Sequence, residues 1–249
     1  MGSRSIVGLA AGLLGGFFAG IAGVGGGIVM IPLMTWLAGL SQHRAHGTSL
    51  VAIVFTGAVG AWTYYLHGAV DWKVSLMLAV GAILFARLGA LYAHSLSERR
   101  LKRGFGVFLL FVSFMLLLHG HLFSQVFALG FWPKIVTLFA TGAFAGFVSG
   151  MMGVGGGSVM VPPMVILAGM SQHLAQGTSL MAMVPIGAMG AFTHYRLGNV
   201  DTRVAGGLII GAMAGGYLGG TAANMLAEPS LKLIFASLGI LIGIKYVRG

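Results

Sequence analysis

The stretch Gly23–Leu50, GVGGGIVMIPLMTWLAGLSQHRAHGTSL, returns at Gly153–Leu180 as GVGGGSVMVPPMVILAGMSQHLAQGTSL. A repeat this long constrains the fold more than any single residue, because each copy must form the same unit and bury the same face. The register holds without gaps beyond the quoted text. Gly16-Phe17 matches Gly146-Phe147, Val70-Asp71 matches Val200-Asp201, Gly81-Ala82 matches Gly211-Ala212, and Leu101-Lys102 matches Leu231-Lys232. From Gly23 to Asp71 roughly three in five positions are identical to their partners in the second copy. The organisation predicted is a first repeat over residues 1–123, a linker over 124–134 containing Phe131-Trp132-Pro133-Lys134, and a second repeat over 135–249.

The solvent of these repeats follows from their charge. Asp, Glu, Lys and Arg make up 7% of the chain, hydrophobic residues 57%, and mean hydropathy is +0.97. A soluble domain carries about a quarter charged residues, so this surface is suited to lipid and the chain is predicted to be an all-α polytopic membrane protein. Each repeat holds five apolar segments: 6–22, 28–40, 47–66, 74–94 and 104–123, then 135–152, 158–170, 177–197, 204–226 and 231–248. A spanning helix needs about 20 apolar residues. The second segment of each repeat falls well short and follows a run of glycines, which reads as half of a broken or re-entrant helix pair. The opening residues resemble a signal peptide, but their Gly/Phe pattern recurs in Gly142–Gly150, which favours retained structure.

Lys and Arg set the orientation. With the N-terminus in the cytoplasm and the first two segments acting as a hairpin, Arg4, Arg44, Arg99, Arg100, Lys102, Arg103, Arg196, Arg203, Lys245 and Arg248 fall inside. Lys73, Lys134 and Lys232 fall outside. The positive-inside rule supports this arrangement, with both termini cytoplasmic. Each repeat then makes an odd number of crossings, so the two have inverted topology, a plan used by secondary transporters. The net charge of +10 is explained by topology and needs no nucleic-acid partner. The absence of cysteine excludes disulfides, thiolate metal sites and cysteine nucleophiles.

Candidate chemistry begins at the glycine runs. Gly25, Gly26 and Gly27, and Gly155, Gly156 and Gly157, allow an unwound stretch followed by a helix start, with Pro32 and Pro162 placed where a first turn tolerates them. Unpaired amides and the positive end of a helix dipole together attract an anion. Glycines spaced for helix packing, such as Gly16 with Gly20 or Gly211 with Gly215, are the competing explanation, but consecutive triplets fit it poorly. No strand precedes the runs, so they are no dinucleotide fingerprint.

The paired stretches Ser41–Ser49 and Ser171–Ser179 come next. Thr48, Ser49, Thr178 and Ser179 precede the third apolar segments, where hydroxyls cap helices or line a site. Gln42, Gln172 and Gln176 add neutral donors suited to an oxyanion. His43 and His46 have metal-like spacing, but Gln176 replaces the second histidine in the other copy, so no metal is expected. Arg87 is a basic residue inside an apolar segment, with Tyr217 at the matching place, and is either functional or snorkelling. The four acids, Asp71, Glu98, Asp201 and Glu228, all fall at segment ends. Asp71 and Asp201 are expected to cap helices, and an interior without carboxylates favours anions over cations.

The doubled GVGGGxVMxP and GTSL elements resemble the TauE/SafE family of membrane proteins, named for sulfite and organosulfonate export, over nearly the whole chain. The resemblance implies a bacterial or archaeal inner-membrane transporter, not an enzyme, that moves a small sulfur oxyanion or sulfonate and needs no cofactor. The expected mechanism is export by alternating access. Gly26, Gly27, Gly156, Gly157 and Ser158 supply donors, Thr48, Ser49, Thr178 and Ser179 line the site, Gln42 and Gln172 gate it, and Arg87 attracts the anion. An inside-negative potential favours anion efflux by about 2.3 kcal/mol per charge per 100 mV, so a uniporter suffices. A proton-coupled importer using His46 or His194 is the alternative. An intramembrane histidine enzyme and a non-transporting structural partner are further readings, and a homodimer stays open.

Overall fold

A computed structural model describes residues 3–122, 131–223, 237 and 240–248, and the described residues are helical throughout apart from short turns. In chain order the helices are α1 Ser3–Ala22, α2 Gly27–Leu37, α3 Gln42–Leu66, α4 Trp72–Ser95 and α5 Glu98–Leu122. The second repeat supplies α6 Phe131–Met152, α7 Gly157–Ile166, α8 Gln172–Arg196 and α9 Thr202–Ala222. Residues 240–248 form a further helical stretch at the C-terminus. The expected linker residues 124–130, the end of the 204–226 segment, residues 231–236 and 238–239 of the 231–248 segment, and with them Glu228 and Lys232, lie outside the described residues. Residues 131–134, expected in the linker, open α6 instead.

Among the described residues five helices are long and apolar enough to cross a bilayer: Arg4–Ala22, Gln42–Leu66, Trp72–Ser95, Trp132–Met152 and Thr202–Ala222. The two short segments are short helices, 11 residues in α2 and 10 in α7. At 1.5 Å per residue each reaches about halfway through a hydrocarbon core of about 30 Å. Outward faces stay apolar: Leu76, Leu84, Phe111, Phe144, Phe192 and Ile210 are each more than half exposed. Such a surface is stable against lipid and not against water.

Local chemistry explains where the long helices begin. Ser41 and Ser171 have extended backbones and accept hydrogen bonds from the amides of Arg44 and Leu174, so they cap α3 and α8. Asp71 caps α4 through the amides of Lys73 and Val74, and Asp201 caps α9 through those of Arg203 and Val204. The expected aspartate caps are therefore present, while the expected cap at Thr48 or Ser49 is corrected. The chain turns helical at Gln42, one turn before the hydrophobic run, because Ser41 satisfies the first free amides. Pro32 and Pro162 also sit deeper than expected, six residues into α2 and α7 rather than in the first turn.

The repeats cross over one another. In α1, Gly8, Gly12, Gly16 and Gly20 lie against Val204, Leu208, Ala212 and Gly216 of α9, so these helices run parallel with backbones touching. The counterpart helices α6 and α4 pair the same way, with Gly142, Gly146 and Gly150 against Leu78, Ala82 and Ala86. Each repeat's first helix therefore packs on the other repeat's fourth. Between the equivalent helices α3 and α8 the order reverses. Gly47 meets His194, Leu50 meets Gly187 and Gly190, Leu180 meets Gly57 and Gly60, and Tyr64 meets Gly177. Equivalent helices thus run in opposite directions. Met30 and Met34 of α2, and their counterparts Met160 and Met164 of α7, are fully buried in the two cores that result.

Candidate functional site

The two helix breaks meet where α3 crosses α8. A Cβ on Gly25 would overlap the Val154 carbonyl, one on Gly27 the Gly153 carbonyl, and one on Gly157 the Gly23 carbonyl. Gly25 and Gly155 also hold φ of +84° and +90°, a region that side-chain-bearing residues resist. Only glycine meets both demands, which is the physical reason for the triplets. Residues 23–28 and 152–157 are buried. Gly26 and Gly156 stand at the N-termini of α2 and α7, and neither helix has a side-chain cap. None of the amides from Val24 to Ile28 or from Val154 to Ser158 donates to a described backbone carbonyl. Beside them, the Ser158 hydroxyl is buried with no hydrogen-bond partner among the described residues, as is that of Ser149.

Hydroxyls from the GTSL elements hold the breaks in place. Ser49 Oγ lies 2.7 Å from the Gly153 carbonyl of the other repeat and 2.7 Å from its own His46 carbonyl. Ser179 Oγ repeats this with the Gly23 and Gln176 carbonyls, again at 2.7 Å. Thr48 Oγ1 accepts from the Asp201 amide and Thr178 Oγ1 from the Asp71 amide, both at 2.9 Å. These four side chains, expected to line the site, are engaged in ties between the repeats beside it.

The ends of the crossing differ. At one end His46 bridges the Met151 carbonyl (Nδ1, 3.1 Å) and the Gln42 side-chain amide (Nε2, 3.3 Å), while His194 Nε2 donates to the Gly150 carbonyl at 2.9 Å. At the other end the Tyr64 hydroxyl lies within 3.3 Å of the Gly20 and Ile21 carbonyls and of Gln176 Oε1. Each residue here occupies the place of its counterpart 130 positions away. A histidine pair thus covers the Gly150 and Met151 carbonyls near the end of α6, while near the end of α1 the Tyr64 hydroxyl faces the Gly20 and Ile21 carbonyls with Gln176 Oε1 beside it. Asn199 extends the histidine end, reaching His94 at 3.2 Å and His194 at 3.4 Å.

The remaining expected residues spread out. Gln42 is buried, with its backbone N–H donating to a Glu98 carboxylate oxygen. Gln172 is partly buried at the opposite end of the crossing. Arg87 does not join the breaks, because α4 turns Ala82, Ala86 and Ala90 inward and leaves Arg87 on its outer face. It lines a separate cavity of about 340 Å³ with Arg196 of α8. Among the described residues no group of three His, Asp or Glu side chains is arranged to hold a metal ion.

A repeat pair built around two glycine breaks and tied by GTSL hydroxyls matches a known family over residues 8–246, described as sulfite exporter TauE/SafE. The chain belongs to the TauE/SafE family. It is a multi-pass membrane transporter. Its relatives include the probable membrane transporter protein YunE of Bacillus subtilis (strain 168), 28% identical across 95% of this chain and 94% of that protein. A probable membrane transporter protein of Xylella fastidiosa (strain 9a5c) is 30% identical, covering 88% and 82%. The probable membrane transporter protein YdhB of Bacillus subtilis (strain 168) is 29% identical, covering 87% and 89%. No solved structure matches. In this TauE/SafE chain, sequence reasoning passed over Tyr64, Asn199 and Ser149. Comparing the repeats at positions 64 and 194 would have found Tyr64, since polar residues there face each other in two unlike forms.

Proposed function

We propose that this transporter exports a small oxyanion, sulfite or an organosulfonate, by alternating access across the two breaks. The observation that carries the reading is the set of unpaired amides at the buried N-termini of α2 and α7, with the unpartnered Ser158 hydroxyl beside them. Amides without acceptors at membrane depth are costly unless something satisfies them. An oxyanion does so, and both helix dipoles favour its charge. The antiparallel α3 and α8 support an inverted repeat, with the Arg-rich end cytoplasmic. Thr48–Asp201 then closes the inner side and Thr178–Asp71 the outer side, and access alternates as one tie opens while the other holds. Proteoliposomes loaded with sulfite test the proposal. Purified protein should release sulfite under an inside-negative potential, and Ser158→Ala should slow release at least fivefold. No flux of sulfite or any sulfonate would refute the reading.

A second reading, proton-coupled import of a small organic anion, draws on the buried His46 and His194 at one end of the crossing. Uptake that requires an imposed pH gradient would select it over potential-driven efflux.

A further inference from the structure

We infer that the cavity between α4 and α8 binds the headgroup of an anionic phospholipid. Arg87 and Arg196 line it together with Leu91, Met189, Phe192 and Thr193, and its volume is about 340 Å³. Leu91, Phe192 and both arginines are exposed on the outward face of the helices, so the cavity opens toward the bilayer rather than toward the helix breaks. Among the described residues the ion pairs run from Arg4 and Arg44 to Asp201, and neither Arg87 nor Arg196 has a carboxylate partner. The Arg196 guanidinium is held over the Phe192 ring, 5.7 Å from its centre. Arg87 lies eight residues before the end of α4, about 12 Å up the helix, at a depth where an unpaired charge is costly. A lipid phosphate supplies the missing counter-charge, and the Leu91, Met189 and Phe192 side chains suit the acyl chains beneath it.

The internal repeat provides a control. At the matching places in the other half stand Tyr217 for Arg87 and Leu66 for Arg196, while Trp62 stands for Phe192 and Thr63 for Thr193. Val59 stands for Met189 and Thr221 for Leu91, so the aromatic and hydroxyl lining persists while both cations are gone. Asn199 joins His94 near the end of α4 to the α8 end, which places the charged copy at the same face as Arg44 and Asp201. That is the face with the excess of Lys and Arg, on the side where anionic lipid headgroups meet basic pockets between helices.

Native mass spectrometry of the full chain with dioleoyl phosphatidylglycerol or dioleoyl phosphatidylcholine tests this. Wild type should retain phosphatidylglycerol at least fivefold over phosphatidylcholine. Arg87→Gln with Arg196→Gln should abolish that preference, while Arg87→Lys with Arg196→Lys should keep most of it. Leu66→Gln with Tyr217→Phe, on the other half, should leave it unchanged. Retention of phosphatidylglycerol by the Gln double variant would overturn the proposal. So would its displacement by millimolar inorganic phosphate or sulfite, which would mark the cavity as a site for free anions. Loss of a dimer in the Gln variant without loss of lipid would assign the groove to a second copy and equally overturn it.

Discussion

The two ends of the α3–α8 crossing are built on one frame and finished differently. Both ends use a serine to grip a carbonyl of the opposite break, at 2.7 Å in each case, and a threonine to hold an aspartate amide at 2.9 Å. Yet one end covers the terminal helix carbonyls with His46 and His194, and the other with the Tyr64 hydroxyl, which also lies against Gln176 Oε1. The frame is backbone geometry, which tolerates little change because neighbouring atoms already touch. The ends are side-chain chemistry, where a ring nitrogen or a hydroxyl can face the same backbone carbonyls. The two repeats therefore share a backbone frame and depart from one another in side chains, at these ends and at Ser158, whose counterpart is Ile28.

The largest effects should come from the frame and should match between repeats. Gly27→Ala and Gly157→Ala each push a methyl into a carbonyl of the opposite break. Each should lower stability by about 3 kcal/mol, measured by unfolding in detergent, with similar values for the two. A harmless substitution at either position would break the symmetry argued here. Next in size, Ser49→Ala and Ser179→Ala each free a buried carbonyl and should cost about 1.5 kcal/mol apiece. Thr48→Val and Thr178→Val remove single ties and should cost about 0.6 kcal/mol each. If those ties gate opposite sides, the two threonine variants should shift accessibility in opposite directions, as read by labelling of single cysteines placed on either face.

The smallest stability change is expected where the ends differ. His46→Gln with His194→Tyr rebuilds the histidine end as a copy of the other, keeps donors for the Gly150 and Met151 carbonyls, and should cost under about 0.5 kcal/mol. In the export account it leaves potential-driven sulfite release within twofold of wild type, whether or not a pH gradient is imposed. Loss of a gradient-dependent component in this variant would favour proton coupling instead.

Much of the fold was legible because the repeat could be read against itself. The short second segments and the aspartate caps follow from matching positions, and the structure has both. The start of α3 and α8 was misplaced because hydropathy marks where a helix enters lipid, whereas Ser41 and Ser171 mark where it begins. The glycine triplets pointed to the breaks correctly. The role of the GTSL hydroxyls was not readable, since their partners are carbonyls of the other repeat, more than 100 residues away. The placement of Arg87, open between a functional and a snorkelling role, was unreadable for a related reason: hydropathy shows that a charge lies in a span, and only packing shows which face of the helix carries it.

The anion site is tested most directly with selenite, a heavier analogue of sulfite, located by anomalous scattering in crystals of the full chain. The account predicts a selenium peak within hydrogen-bond reach of the Gly26–Gly27 or Gly156–Gly157 amides and of Ser158. A protein that transports selenite yet shows its peak elsewhere, with those amides still unoccupied, would contradict it.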